Sequence, residues 1–147
     1  MTIEAAAERD LPAVGNLLHR HGLPLDGLDG LWPTMVVARE SSSTIVGVAA
    51  VEIYEGGALL RSVAVDPAHQ GHGLARQLTE AALAMARRRG AATVFLLTTT
   101  AERFFPRFGF EVIQRDDVPA PVRASVEFQS ACPASAVVMR ASLAVTR

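Results

Sequence analysis

The stretch that most constrains this chain is VDPAHQGHGLARQL, residues 65–78. An apolar run, ALLRSVAV, leads into it and reads as a strand. A run of helical period leads out, with Leu74, Leu78, Ala82 and Met85 on one face, and ends at about Arg89, before Gly90. Between the two, Gln70, Gly71, His72 and Gly73 leave little side chain over the backbone. Glycine lets the chain turn sharply and lets a ligand approach the main chain. The first N–H groups of a helix have no intrahelical acceptor and attract anions. A phosphate or pyrophosphate is therefore expected on the main chain of Gln70, Gly71, His72, Gly73, Leu74 and Ala75. Arg76 either adds a charge there or is an ordinary exposed helix residue.

Two well-known phosphate motifs do not fit. The loop of nucleotide hydrolases ends in Gly-Lys-Ser/Thr, and GLAR does not. The dinucleotide fingerprint needs a third glycine where Arg76 stands, and the sequence suggests no suitable alternating βαβ pattern around it.

The other elements follow from period and punctuation. Residues 2–6 read as a strand, and Asp10 as the N-cap of a helix carrying Leu11, Val14, Leu17 and Leu18, closed at Gly22. The glycine- and proline-rich 22–33 is a loop or broken helix. Strands at 34–39, 45–54 and 58–65, joined by ESSST and EGG, form an antiparallel meander. After the long helix come a buried strand (ATVFLLTT), a short helix over 101–109, a strand over 110–115, a short helix within 120–128 and a closing strand, AVVMRASL. The fold class is α/β: one domain over 1–147, with a mixed, mostly antiparallel sheet flanked by helices.

A net charge of −1 with 20% charged residues lacks the basic stripe of a nucleic-acid protein. One cysteine, Cys132, excludes an intramolecular disulfide and fits a reducing compartment. No secretory leader or membrane span is read from the sequence, so a cytoplasmic location is expected. The histidines at 19, 21, 69 and 72 have no metal-ligand spacing with a third ligand, so no metal is expected. A single thiol is a poor chelate for a soft metal, and Cys132 is expected to be dispensable for chemistry.

The run LLRSVAVDPAHQGHGLARQLTEAALAMARRRGAATVFLLTTTAERFFPRFGFEVI resembles the core of the GNAT superfamily of N-acetyltransferases. The matching positions are Val65 and Pro67, then Gln70, Gly73 and Ala75, then Phe105, Gly109 and Phe110. Within that superfamily, EGGALLRSVAV, FLLTTTAERFFPRFGF and VPAPVRASVEFQSACPASAVVM resemble the arsenic-resistance N-acetyltransferase group, itself like amino-acid N-acetyltransferases. The resemblance implies acetyl-CoA as co-substrate, its pyrophosphate on residues 70–75 and its pantetheine beside the main chain of Val63 and Val65. It implies a small amine as acceptor, for example a glutamate mimic of the arsinothricin or phosphinothricin type. Another small amine, a protein N-terminus, or a binding module without turnover are the alternatives, and a homodimer is one compatible assembly.

The chain departs from the family where protons move. Leu59 stands where many relatives carry a glutamate base, and Phe105 where many carry a tyrosine acid. Glu52, Thr98 and Thr100 are the replacement candidates, each equally at home as a plain strand residue, and Tyr54 is a further one. A backbone N–H near Val63 is the expected oxyanion donor. Strand alternation puts Leu59, Arg61, Val63 and Val65 on one side. Arg61, with Ser62, Thr99 and Arg123, is then expected to hold an acid group of the acceptor; a salt bridge to Glu52, Glu55 or another carboxylate is the competing expectation.

Overall fold

The computed structural model describes residues 1–131 and 135–143, so Cys132 and what was expected of it lie outside the described residues. A seven-stranded sheet runs in the order β1-β2-β3-β4-β5-β7-β6. Its strands are β1 (Thr2–Ala5), β2 (Met35–Arg39), β3 (Ile45–Tyr54), β4 (Gly57–Val65), β5 (Thr93–Thr98), β6 (Glu111–Ile113) and β7 (Val137–Ser142). All neighbours pair antiparallel except β4 and β5, which are joined through the long helix and run parallel.

Helix α2 (Leu74–Arg88) covers one face of the sheet. Its Leu78, Ala82 and Ala86 pack with Val36, Val51, Leu60, Val94 and Met139. Gly47 allows the close approach: a Cβ there would meet Leu78 Cδ1 at 2.6 Å. Helix α1 (Leu11–Arg20) covers the β1–β3 part of the other face, with Val14, Leu17 and Leu18 against Met35, Val37 and Val48. The short α3 (Ala120–Arg123) and the tail around it cover the β5–β7 part, where Val118 and Val122 bury Leu59, Phe95 and Val138. The sheet is thus closed on both faces, and burying a side chain such as Leu17 or Leu78 stabilises the fold by about 2 kcal/mol.

Several local expectations are corrected. Asp10 does not cap α1 with its side chain; a 3₁₀ turn (Glu8–Asp10) precedes the helix, and Asp10 Oδ2 accepts from Ala7 N at 2.8 Å instead. The helix expected over 101–109 is a single 3₁₀ turn, Phe105–Phe108, ended by Gly109 at φ +91°. The strand expected over 110–115 is the three-residue β6. The helix expected within 120–128 stops at Arg123 and is followed by a π-helical turn, Glu127–Ala131. Among the described residues no helix is long and apolar enough to cross a membrane, and no group of three His, Cys, Asp or Glu could hold a metal ion.

Candidate functional site

Strands β4 and β5 are paired only at Ala58–Val94 and Leu59–Phe95. Beyond those residues they part. The cause lies on β4: opposite β3 the register shifts between Ala50–Arg61 and Val48–Ala64, which inserts an extra residue on β4. Ser62 takes it up in the left-handed region, at φ +61°. Such a bulge bends its strand and strengthens the local twist.

The bulge also resets which way side chains point. Leu59 packs under the tail and Arg61 faces the same side, whereas Val63 and Val65 pack on the α2 side. The expectation that Leu59, Arg61, Val63 and Val65 share a face is therefore wrong, because alternation restarts at the bulge. Leu59 has no exposed surface and does not line the gap between the strands.

That gap is a cleft of about 450 Å³. Leu60 to Val65 form one wall and Leu96 to Thr98 the other; Phe104, Phe105, His21 and Glu127 also line it. A second hollow adjoins it, lined by Gly71, Gly73, Leu74, Arg76 and Arg107, and the two share Val65, Gln70, Ala75 and Phe104. A continuous groove thus leads from the glycine turn into the parted strands.

At the turn, Gly71 and Gly73 have φ of +86° and +80°. Gly73 is the N-cap of α2 and offers no side chain to its first N–H groups. Those of Leu74, Ala75 and Arg76 are left to an anion, which the helix dipole also favours. Arg76 is largely exposed and reaches Glu80 at 3.6 Å. Arg107, which sequence reasoning missed, enters the hollow from the Phe105–Phe108 turn. It stacks on Phe104 at 4.7 Å and donates from Nε to the Phe104 carbonyl, which fixes its direction. A basic residue among phenylalanines just before Gly109 was its only sequence signal. His72 lies apart from the groove, in a shallow depression with Met1 and His69.

The Val65 carbonyl turns toward the cleft. Gln70 Nε2 donates to it at 2.9 Å, and His21 Nε2 lies 2.9 Å from it, with His21 Nδ1 2.9 Å from the Leu17 carbonyl. Thr98 lines the cleft, and its Oγ1 accepts from Ala101 N at 2.9 Å, leaving the hydroxyl hydrogen to donate elsewhere. Thr100 also lines the cleft; Thr99 is exposed and does not.

Deeper in, three charges come together from distant parts of the chain. The Arg61 side chain has no exposed surface. Its Nη1 donates to Glu52 Oε2 at 3.0 Å, its Nε to Ser62 Oγ at 3.2 Å, and its Nη2 to the Pro24 carbonyl at 3.4 Å. Glu127 Oε2 lies 3.4 Å from Nε, and this carboxylate is 5% exposed. The Tyr54 hydroxyl donates to Glu52 Oε1 at 2.6 Å. Burial, then that hydrogen bond, pushes the Tyr54 phenol well above its ordinary range, so it stays protonated. The salt bridge, the competing expectation for Arg61, is what this structure contains. Ser62 is buried beside it, Glu52 does not line the cleft, and Arg123 is exposed away from it.

Residues 32–112 match the acetyltransferase (GNAT) domain family, and the chain belongs to it. An amino-acid acetyltransferase of Mycobacterium tuberculosis is 43% identical over 63 residues, which is 43% of this chain and 36% of that protein's length. The fold is that of solved relatives. N-acetylglutamate synthase from Neisseria gonorrhoeae, complexed with coenzyme A and N-acetyl-glutamate, superposes with a TM-score of 0.83 at 20% identity, over 98% of this chain and 35% of that one. Rv2747 from M. tuberculosis, complexed with CoA, gives 0.83 at 25% identity, over 98% of this chain and all of that one.

Proposed function

We propose that this chain is an N-acetyltransferase that moves the acetyl group of acetyl-CoA to the amine of a small amino-acid-like compound. The observation that carries this reading is the groove that runs from the bare N–H groups of α2 into the gap between β4 and β5. Gln70, Gly71, Gly73, Leu74, Ala75 and Arg76, with Arg107, hold the pyrophosphate there. The pantetheine lies along the unpaired edge of β4. Since the Val65 carbonyl already has side-chain neighbours, Val63 supplies most of the main-chain pairing. The thioester then sits at the bulge, where a backbone N–H beside Val63 faces the developing oxyanion. Thr98 and Thr100 supply hydroxyl donors, and Glu52 acts by fixing Arg61.

The kinship with amino-acid acetyltransferases supports an amino-acid-like acceptor. The tail's resemblance to the arsenic-resistance group makes arsinothricin and phosphinothricin the specific compounds to try. Their acid groups would bind at the Thr98 and Thr100 hydroxyls, because Arg61 is sealed between carboxylates. The test is incubation with acetyl-CoA and a panel of amino acids, these two mimics, polyamines and a peptide N-terminus, with mass spectrometry of the products. Acetylation confined to amino-acid-like amines is expected. Acetylation of the peptide or polyamines alone would move the acceptor class, and acetyl-CoA binding without any product would leave a binding module.

A further inference from the structure

Among the described residues that line the cleft, Glu127 is the one carboxylate, and the reading of the chain as an acetyltransferase leaves it without a task. We propose that Glu127 is the catalytic residue that takes the proton from the acceptor's ammonium. The proposal rests on the acetyltransferase reading.

The positions the family uses for this work are not available. Leu59 is sealed under the tail, and Phe105 packs edge-on against Phe104 and Phe110 without an ionisable group. Glu52 is turned to Tyr54 and Arg61. Glu127 comes from the π-helical turn after α3, over the same stretch of β4 that carries the bulge. Here Arg61 holds both Glu52 and Glu127, which fixes the Glu127 carboxylate at the cleft. Tyr54, held protonated, also faces the cluster, and His21 lines the same cleft.

The step balances without a further reagent. An ammonium gives one proton to Glu127, and the freed lone pair attacks the thioester carbon. The C–N bond forms as the carbonyl becomes an oxyanion. The oxyanion collapses, the C–S bond breaks, and the thiolate takes the second nitrogen proton to leave as the thiol. Glu127 returns its proton to solvent. Because sulfur receives its proton from the nitrogen, the step does not need the tyrosine that Phe105 replaces.

The test uses the full chain and its E127Q, E127D and E52Q variants, with acetyl-CoA and the best amine of the panel. Glutamine keeps an oxygen for Arg61 to donate to, so the fold is expected to hold. E127Q should lower kcat/KM by about 100-fold or more. It should flatten the acid limb of the kcat/KM–pH profile and leave acetyl-CoA affinity unchanged. E127D should keep the limb at reduced rate, and E52Q, which only loosens Arg61, should lower the rate less than E127Q does and keep the limb. If E127Q does not fold, E127D decides: a rate loss with unaltered acetyl-CoA affinity supports the assignment, and a wild-type rate overturns it. Wild-type kinetics in E127Q, or loss of the limb in E52Q instead, overturns the assignment while the acetyltransferase reading stands. Absence of transfer to every amine by the wild-type chain overturns both.

Discussion

The two ends of the groove are built by different means. The end at the glycine turn is backbone: N–H groups of one helix, two glycines with positive φ, and two arginines at the rim. The end at the parted strands is side chain: Glu52 from β3, Arg61 from β4 and Glu127 from beyond α3, held within hydrogen-bond and ion-pair distance. Backbone sites survive most changes around them, since no single side chain makes the contact. A side-chain cluster taken out of water is only as stable as its balance of charge, because each buried ion costs several kcal/mol unless compensated. The two ends should therefore fail differently when altered.

The largest effect is expected at the side-chain end. Arg61→Ala leaves Glu52 and Glu127 facing each other with little water, and should lower stability by about 3–5 kcal/mol, read as a shift in the urea midpoint. Stability equal to the wild type would mean that the cluster is not sealed. At the backbone end, Gly73→Asp puts a side chain at φ +80° and a negative charge beside the anion seat. Acetyl-CoA affinity should fall by about 100-fold, measured by calorimetry on folded protein, with little change in the cluster's behaviour. Unchanged affinity would place the phosphates elsewhere.

A buried pair far from the groove gives a reference. Asp10 is 6% exposed and takes two hydrogen bonds from Arg39, at 3.0 and 2.6 Å. The hydrogen bond from Arg39 holds its carboxyl below the usual carboxylate range. Its folded pKa is thus below the unfolded one, so its contribution is present above about pH 4 and is lost as the pH falls through the folded value. Asp10→Asn should cost about 2 kcal/mol at neutral pH and flatten the loss of stability on the acid side, as followed by thermal melts across pH. A wild-type acid limb in that variant would assign the acid sensitivity to another carboxylate. The smallest effect belongs to the rim: Arg107→Ala should weaken acetyl-CoA binding by about 3- to 10-fold, and less at high salt, since an exposed charge is screened. Salt-independent weakening would point to lost stacking on Phe104 rather than lost charge.

The contrast also explains what could be read from the sequence. The glycine turn, the meander and α2 are local patterns, written in residues next to one another, and they stand where period and punctuation put them. The bulge is not local. Ser62 carries no glycine or proline signal, and its register shift exists only against β3. Reading β4 as an unbroken alternation therefore put Val63 and Val65 on Arg61's face. Glu127 was passed over because it sits between Val126 and Phe128, and nothing in its spacing relates it to Arg61, 66 positions earlier. The helix expected through 120–128 fails for a local reason that composition hides. Ser125 turns its hydroxyl to Phe128 N at 3.4 Å, a side-chain bond that competes with the helical one. That interruption starts the turn which presents Glu127 to the cleft.

The account is tested most directly by a crystal structure of the chain with acetyl-CoA bound. The expected result is the pyrophosphate on the N–H groups of Leu74, Ala75 and Arg76 with Arg107 beside it. The thioester should lie between the parted ends of β4 and β5, its carbonyl at the main chain of Val63 and Glu127 opposite its reacting face. Phosphates bound away from the glycine turn, or an acetyl group that points away from the Arg61–Glu127 cluster, would contradict it.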